Sequence, residues 1–288
     1  MKVHVILSNN FDEKNIFEIK IKQSVCGVID TIRATSTIAT ILGCGGRKIL
    51  IASNIEEAFL FKKFFPSFIL CGEQNGLPPK GFDYGNSPLD ISTLNINDDN
   101  FILMTTNGTK SILKVRESKI VYAISLLNLN SVIDCMVKEA ISYSFDILLL
   151  CSGEKGKIAY DDAYTAGMAI KNLMTKPYNF EFTDSAKLVL AATLSEFNVA
   201  DAMEKSYSAK SLRSVGLGDD IAFLSQINKY NVCPKLYKIN SQDKKMKLFL
   251  KNLKNNKDNT NKNNISNLKN EFKEKFKNIE LTFICNAI

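Results

Sequence analysis

A chain of 288 residues with 45% hydrophobic content can bury a substantial core, and it is read as one α/β domain rather than two small ones. The formal charge of +7 is uneven: residues 241–288 carry 11 Lys against 5 Asp and Glu, a local +6, which leaves about +1 for residues 1–240. A nearly neutral body gives no electrostatic argument for a polyanionic partner, and no nucleic acid is expected.

The N-terminal segment MKVHVILSNNFDEKN has too short an apolar run for a signal peptide, and no later stretch approaches the length of a membrane span. A cytoplasmic protein is expected. Aliphatic and β-branched runs predict strands at 3–7, 25–29, 48–51, 68–71, 101–104, 120–123 and 147–151. Between them the spacing predicts helices, one starting near Thr35, one over 54–65 behind a Ser53/Asn54 cap, and one over 127–143. Segments 161–173, 182–215 and 219–226 also read as helical, and a last short strand follows Pro234. Cys26, Cys44, Cys71, Cys135, Cys151, Cys233 and Cys285 are scattered through apolar runs with no C-x-x-C pair, and read as buried thiols. From Ser241 the chain is Lys/Asn-rich, too polar to pack, with at most a marginal amphipathic helix at 268–276. Residues 1–240 are therefore expected to form the catalytic domain and 241–288 a mobile tail. No internal repeat is evident.

Alternation of strand and helix predicts a three-layer α/β/α fold with a mostly parallel or mixed central sheet, whose ligands sit beyond the carboxyl ends of the strands. Four polar clusters directly follow predicted strands: the loops beginning at Asp30, Gly72, Thr105 and Ser152. They are expected to converge on one edge.

Exclusions narrow the chemistry. With His4 as the only histidine, His-nucleophile phosphatases, His-rich zinc sites and Ser-His-Asp triads are improbable. Cys26 and Arg33 are spaced one residue too far apart for a Cys-phosphatase loop; there is no G-x-x-x-x-G-K-[ST], and Ile32 breaks a D-x-D-x-[TV] pattern. Carboxylates, hydroxyls and amides remain, a set that suits a hard cation such as Mg²⁺. Asp30 can bind metal or act as nucleophile and Arg33 can grip an anion, or the two can simply cap a helix and pair. MTTNGTKSIL turns small residues straight into a helix, an anion cradle or an ordinary capped turn. Asn86 and Ser87 precede Pro88, and Asp161 and Asp162 open a helix, where acids are often only N-terminal charges.

In this order, VIDTIRATSTIATIL, CGEQNG with GFDYGNSP, MTTNGTKSIL, ISLLN, CSGEKGKIAYDDAYTAG and SVGLGDDIAF resemble the 2-phosphosulfolactate phosphatase family of coenzyme M biosynthesis. The resemblance implies a Mg²⁺-dependent phosphatase that converts 2-phosphosulfolactate, or a related 2-phospho acid, to sulfolactate and phosphate. By matching position it implies Asp30 and Arg33 as catalytic residues. Ser36, Asn86, Ser87, Thr106, Asn107, Gly108 and Thr109 would be substrate-binding; of the acids at matching positions, Asp30, Glu73, Asp161, Asp162 and Asp220 are inferred here, beyond the resemblance, to be the metal ligands. The partner is then a small anionic substrate, with no membrane involved, and a homo-oligomer is compatible. Two positions depart from the family pattern: Gln74 stands where an Arg is usual, and SYSAKSL, with Ala209 and Lys210, replaces a Ser-x-x-Gly-Arg-like segment. These departures leave open a non-catalytic paralogue that binds a phosphorylated or sulfonated acid. Lys155, Lys157 and Lys210 are equal candidates for neutralising the substrate's further acid groups.

Overall fold

The computed structural model describes residues 1–12, 16, 19–240 and 280–285. Ten strands form one sheet: β1 Lys2–Ile6, β2 Ser24–Ile29, β3 Lys48–Ala52, β4 Ile69–Gly72, β5 Asn100–Met104, β6 Ile120–Ile124, β7 Asp146–Cys151, β8 Glu181–Phe182, β9 Lys235–Asn240 and β10 Glu280–Cys285. The helices are α1 Ala34–Gly43, α2 Ile55–Phe64, α3 Pro88–Ser92, α4 Gly108–Lys114, α5 Leu129–Tyr143, α6 Tyr160–Leu173, α7 Asp184–Leu194, α8 Val199–Glu204, α9 Tyr207–Ser214 and α10 Asp219–Leu224.

Strand order is β4-β5-β3-β10-β9-β6-β2-β7-β1-β8. Two parallel blocks, β6-β2-β7-β1 and β3-β5-β4, flank the β9–β10 pair, and β9 and β10 are antiparallel to each other and to the strands they touch. Three antiparallel steps separate β6 from β3, so the two blocks run in opposite senses. Both faces of the sheet are covered, which is why β2 is buried along its whole length and reads as an unbroken apolar run. Ile49, Ile51, Phe101 and Leu103 point to the side of α1 and α3, whereas Leu50, Ala52 and Ile102 pack under Ala58 and Phe61 of α2. On the other block, Val25 and Ile29 meet α5 and α6 through Val132, Met136 and Ala169, while Cys26 and Val28 face the α1 and α4 side. The three expected layers are present.

An internal repeat, not evident in the sequence, organises this fold. β2-α1-β3-α2-β4 is matched element for element by β5-α4-β6-α5-β7. In each half the first strand sits between the second and third strands of the other half: β2 between β6 and β7, and β5 between β3 and β4. The blocks run oppositely, yet all four strand-end loops contribute to one cavity. The expected mostly parallel or mixed sheet is present, and the converging loops come from two blocks of opposite sense rather than from one edge of a single block.

Other differences are local. The 182–215 stretch is three helices, because Asn198 and Ser206 cap new starts by accepting from Asp201 and Ala209 N–H. Most of the segment read as a tail, including 268–276, lies outside the described residues, but 280–285 form β10 inside the sheet. Cys135 and Cys233 are joined as a disulfide, which corrects the reading of those two as thiols; Cys26, Cys71 and Cys151 are buried free thiols and Cys44 is half-buried. His4 is buried in β1 near Asp146. No described helix is long and apolar enough to cross a membrane.

Candidate active site

A cavity of about 140 Å³ lies between the strand ends, lined by residues of all four loops: Asp30 and Arg33 after β2, Glu73 to Gly76 after β4, Thr105 to Asn107 after β5, and Glu154 and Lys155 after β7. Asn86 and, from α9, Ser208 and Ser211 complete the wall. The volume is well below the roughly 300–1,000 Å³ of pockets for drug-sized ligands, and it suits a small polar molecule.

Each half of the repeat builds its strand end in the same way. Thr35 Oγ1 accepts the Asp30 N–H at 3.0 Å and donates to the Asp30 carbonyl at 2.8 Å. Thr109 Oγ1 does the same for Thr105, at 3.4 and 2.8 Å. Asp30 Oδ1 also accepts the Ala34 N–H at 3.0 Å, which aims the carboxylate along the start of α1. Gly108, at the start of α4, packs so tightly here that a Cβ would lie 2.7 Å from Asp30 Oδ2 and 2.3 Å from the Ala34 Cβ. Its absent side chain is what lets the two helix starts meet.

Arg33 is 4% exposed and held on both sides: Nη1 donates to Asp220 Oδ2 at 2.9 Å and Nη2 to the Gly76 carbonyl at 2.8 Å. Asp220 Oδ1 accepts from Ser87 Oγ at 2.6 Å and from Leu89 N–H at 3.3 Å. Asp220 and Ser87 therefore serve to fix Arg33, and neither lines the cavity. Asp162 is likewise engaged on both oxygens, by Thr31 N–H at 2.8 Å and Gly153 N–H at 2.9 Å, tying the β2 loop to the β7 loop. Glu73 accepts from Thr106 N–H at 2.6 Å, Thr106 Oγ1 at 3.1 Å and Gly76 N–H at 2.9 Å. Asp161 lies beneath Ser208, whose hydroxyl donates to it at 2.9 Å. Ser36 is buried within α1, donating to the Thr31 carbonyl, and stands outside the cavity wall.

The expected anion cradle of the β5 loop is partly engaged internally, since Thr106 N–H goes to Glu73 and Thr109 N–H to Thr105 Oγ1. Asn107 Nδ2 reaches across to Glu154 Oε2 at 2.9 Å. Besides the second oxygen of Glu154, two further acceptors on the wall lack a donor. Asn86 Oδ1 is buried with no hydrogen-bond partner, and Asp30 Oδ2 has none among the described residues.

The floor is electrostatically crowded. Burial pushes Asp30 well above the usual carboxylate range, and the charges of Asp161, Glu73 and Glu154 add to the push against a bond from Ala34 N–H. Burial also raises Asp161 and Asp162, with Glu154 contributing at the former, and Asp161 and Asp30 at the latter. Glu154 is raised by burial and by Glu73, partly offset by Lys155. Like charges held this close in a low-dielectric site call for protons or for a cation. Among the described residues no three His, Cys, Asp or Glu side chains stand together as a ready metal cage. Mg²⁺, however, commonly uses one or two carboxylates, with waters and substrate phosphate completing its shell. The wall fits that habit through Asp30 and Glu154, the lining carboxylates that each keep an oxygen outside these hydrogen bonds.

Sequence reasoning passed over Glu154, Asn75, Ser208 and Ser211. For Asn75 a signal existed, since the Asn-Gly pair at 75–76 is a two-residue hairpin signature, whereas the Lys-Gly pair behind Glu154 is not one. The Ser residues gave none beyond their three-residue spacing on a helix. The positions that depart from the family pattern lie off the cavity wall. Gln74 is exposed and bonded through its backbone to Leu77, Ala209 is buried against Leu126 and Tyr164, and Lys210 is exposed on α9.

A family model for 2-phosphosulpholactate phosphatase matches residues 11–238. A probable 2-phosphosulfolactate phosphatase of Pseudothermotoga lettingae is 37% identical over 215 residues, covering 74% of this chain and 89% of that protein. One from Caldanaerobacter subterraneus subsp. tengcongensis is 34% identical, covering 75% and 89%, and one from Clostridium beijerinckii is 28% identical, covering 82% and 96%. By this match over most of its length, and by a fold and loop arrangement that agree with it, the chain belongs to the 2-phosphosulfolactate phosphatase family.

Proposed function

We propose that this protein is a Mg²⁺-dependent phosphatase that hydrolyses 2-phosphosulfolactate, or a close 2-phospho acid, to sulfolactate and phosphate. The observation that carries this reading is the cavity itself: a small chamber whose wall combines the carboxylates of Asp30, Glu73 and Glu154 with the cations Arg33 and Lys155. The relatives' names supply the substrate. A step in coenzyme M biosynthesis and a cytoplasmic location are carried over with the family resemblance.

Asp30 and Glu154 would hold the ion, with Asp161 behind them deepening the negative potential. Bound there, Mg²⁺ supplies charge neutralisation at the phosphoryl oxygens, on which phosphoryl transfer largely depends. Arg33, fixed by Asp220 and Gly76, presents a preoriented guanidinium to the phosphate and loses little freedom on binding. Asn86 Oδ1 offers an acceptor for a protonated oxygen or a metal-bound water. The alternative of a binding protein without turnover drew its motive from Gln74 and Ala209, and neither side chain lines the cavity, although each adjoins a residue that does.

The test is phosphate release from 2-phosphosulfolactate and a panel of 2-phospho acids, assayed with Mg²⁺ and again after chelation. Release that requires Mg²⁺ supports the reading. No release from any ester at micromolar enzyme would overturn it.

A further inference from the structure

Two loops of the cavity share one backbone design. After β4, Gln74 and Leu77 exchange both backbone hydrogen bonds, at 2.9 and 3.3 Å, around Asn75 and Gly76 at φ +55° and +84°. After β7, Glu154 and Lys157 exchange theirs, at 3.0 and 2.9 Å, around Lys155 and Gly156 at φ +51° and +75°. Both are two-residue hairpins whose central residues are left-handed, the geometry of a type I′ turn. They occupy matching places in the internal repeat, and their first central residues, Asn75 and Lys155, both line the cavity.

The equivalence exposes an oddity. Asn tolerates the left-handed region because its short side chain bonds locally, so Asn75 is the residue this turn favours. Lysine has no such compensation and would not be chosen for the turn's sake. Among the described residues its ammonium has no hydrogen-bonded carboxylate partner and interacts only through space with the neighbouring Glu154. Of the two cations on the wall, Arg33 is locked to Asp220, whereas Lys155 forms no ion pair among the described residues and is exposed at the cavity mouth. Lys157 and Lys210 are absent from the wall, which decides among the three lysines the sequence could not separate.

We propose that Lys155 is a specificity-determining residue that binds an acid group of the substrate which is not transferred, so that the enzyme prefers phosphate esters carrying a further carboxylate or sulfonate. The second hairpin thereby does two tasks, with Glu154 turned toward the reaction centre and Lys155 toward the remainder of the substrate. This rests on the phosphatase reading, but its test can be separated from it.

Lys155→Asn installs the residue the turn prefers, as at position 75, so folding is retained; Lys155→Arg keeps the charge. Steady-state kinetics would compare 2-phosphosulfolactate with 2-propyl phosphate, which lacks acid groups, and calorimetry would measure binding of sulfolactate. The expected result for K155N is a tenfold or greater fall in kcat/KM for 2-phosphosulfolactate, chiefly through KM. The change for 2-propyl phosphate should be less than twofold, sulfolactate affinity should weaken by tenfold or more, and K155R should recover most of both losses. Lys157→Asn should leave all of them within twofold. Equal losses on both esters, or sulfolactate affinity unaffected by K155N, would overturn the proposal, as would wild-type protein that fails to bind sulfolactate. Wild-type protein that binds sulfolactate through Lys155 yet releases no phosphate would sink the phosphatase reading alone.

Discussion

Replacing Asp220 by Asn probes how the site is held together. The Arg33 and Asp220 side chains are 3% and 1% exposed and 2.9 Å apart. The introduced amide would keep its oxygen for Ser87 and Leu89 but set its NH2, a donor, against the guanidinium, which loses both its acceptor and its countercharge. Breaking a buried pair from one side leaves an uncompensated charge and costs about 3–5 kcal/mol. For a domain of this size that is a fall of roughly 6–20 °C in Tm. Urea unfolding should give a lower midpoint at unchanged slope, and kcat/KM should drop because Arg33 is no longer aimed. Removing both charges, as Arg33→Met with Asp220→Leu, should recover much of the stability and none of the activity. A D220N loss below about 1 kcal/mol, the range of exposed ion pairs, would refute the shielding on which this reasoning depends.

Two further perturbations address the scaffold. Thr35→Val leaves the Asp30 carbonyl its bond from Thr35 N–H at 3.0 Å but strips the Asp30 N–H of its partner; about 1–3 kcal/mol should be lost in urea unfolding, along with phosphatase rate. Deleting residues 280–288 removes β10, which pairs with both β3 and β9, and exposes two strand edges; calorimetry should show a lower Tm and size-exclusion chromatography self-association. An unchanged Tm would mean that the sheet does not depend on this strand.

The layers were legible because strands covered on both faces are apolar along nearly their whole length, as in the run Val25–Ile29 of β2. Boundaries within 182–215 were missed because caps at Asn198 and Ser206 are single polar residues among many. β10 was hidden by its neighbourhood: six residues inside a Lys/Asn-rich segment acquire meaning only through partners far away in the chain. The repeat was invisible for a different reason. What the halves share is backbone hydrogen bonding, served by Thr35 and Thr109 alike, whereas the residues they hold, Asp30 and Thr105, differ. The site shows the same limit. Sequence gives the type of an acid but not what its oxygens already accept, so Asp162 and Asp220, both engaged as acceptors of protein hydrogen bonds, looked equivalent to Asp30. Glu154 went unnoticed until the β7 hairpin carried it to the wall.

The central claim is that Asp30 turns the cavity into a centre for phosphoryl transfer. Asp30→Asn retains the acceptor for the Ala34 N–H and relieves a buried like-charge cluster, so the folded state should persist, as a thermal melt run alongside would show. Mg²⁺-dependent phosphate release from 2-phosphosulfolactate is the decisive readout. The account predicts that D30N lowers kcat by about 10²-fold or more, and a folded D30N protein that keeps the full Mg²⁺-dependent rate would contradict it.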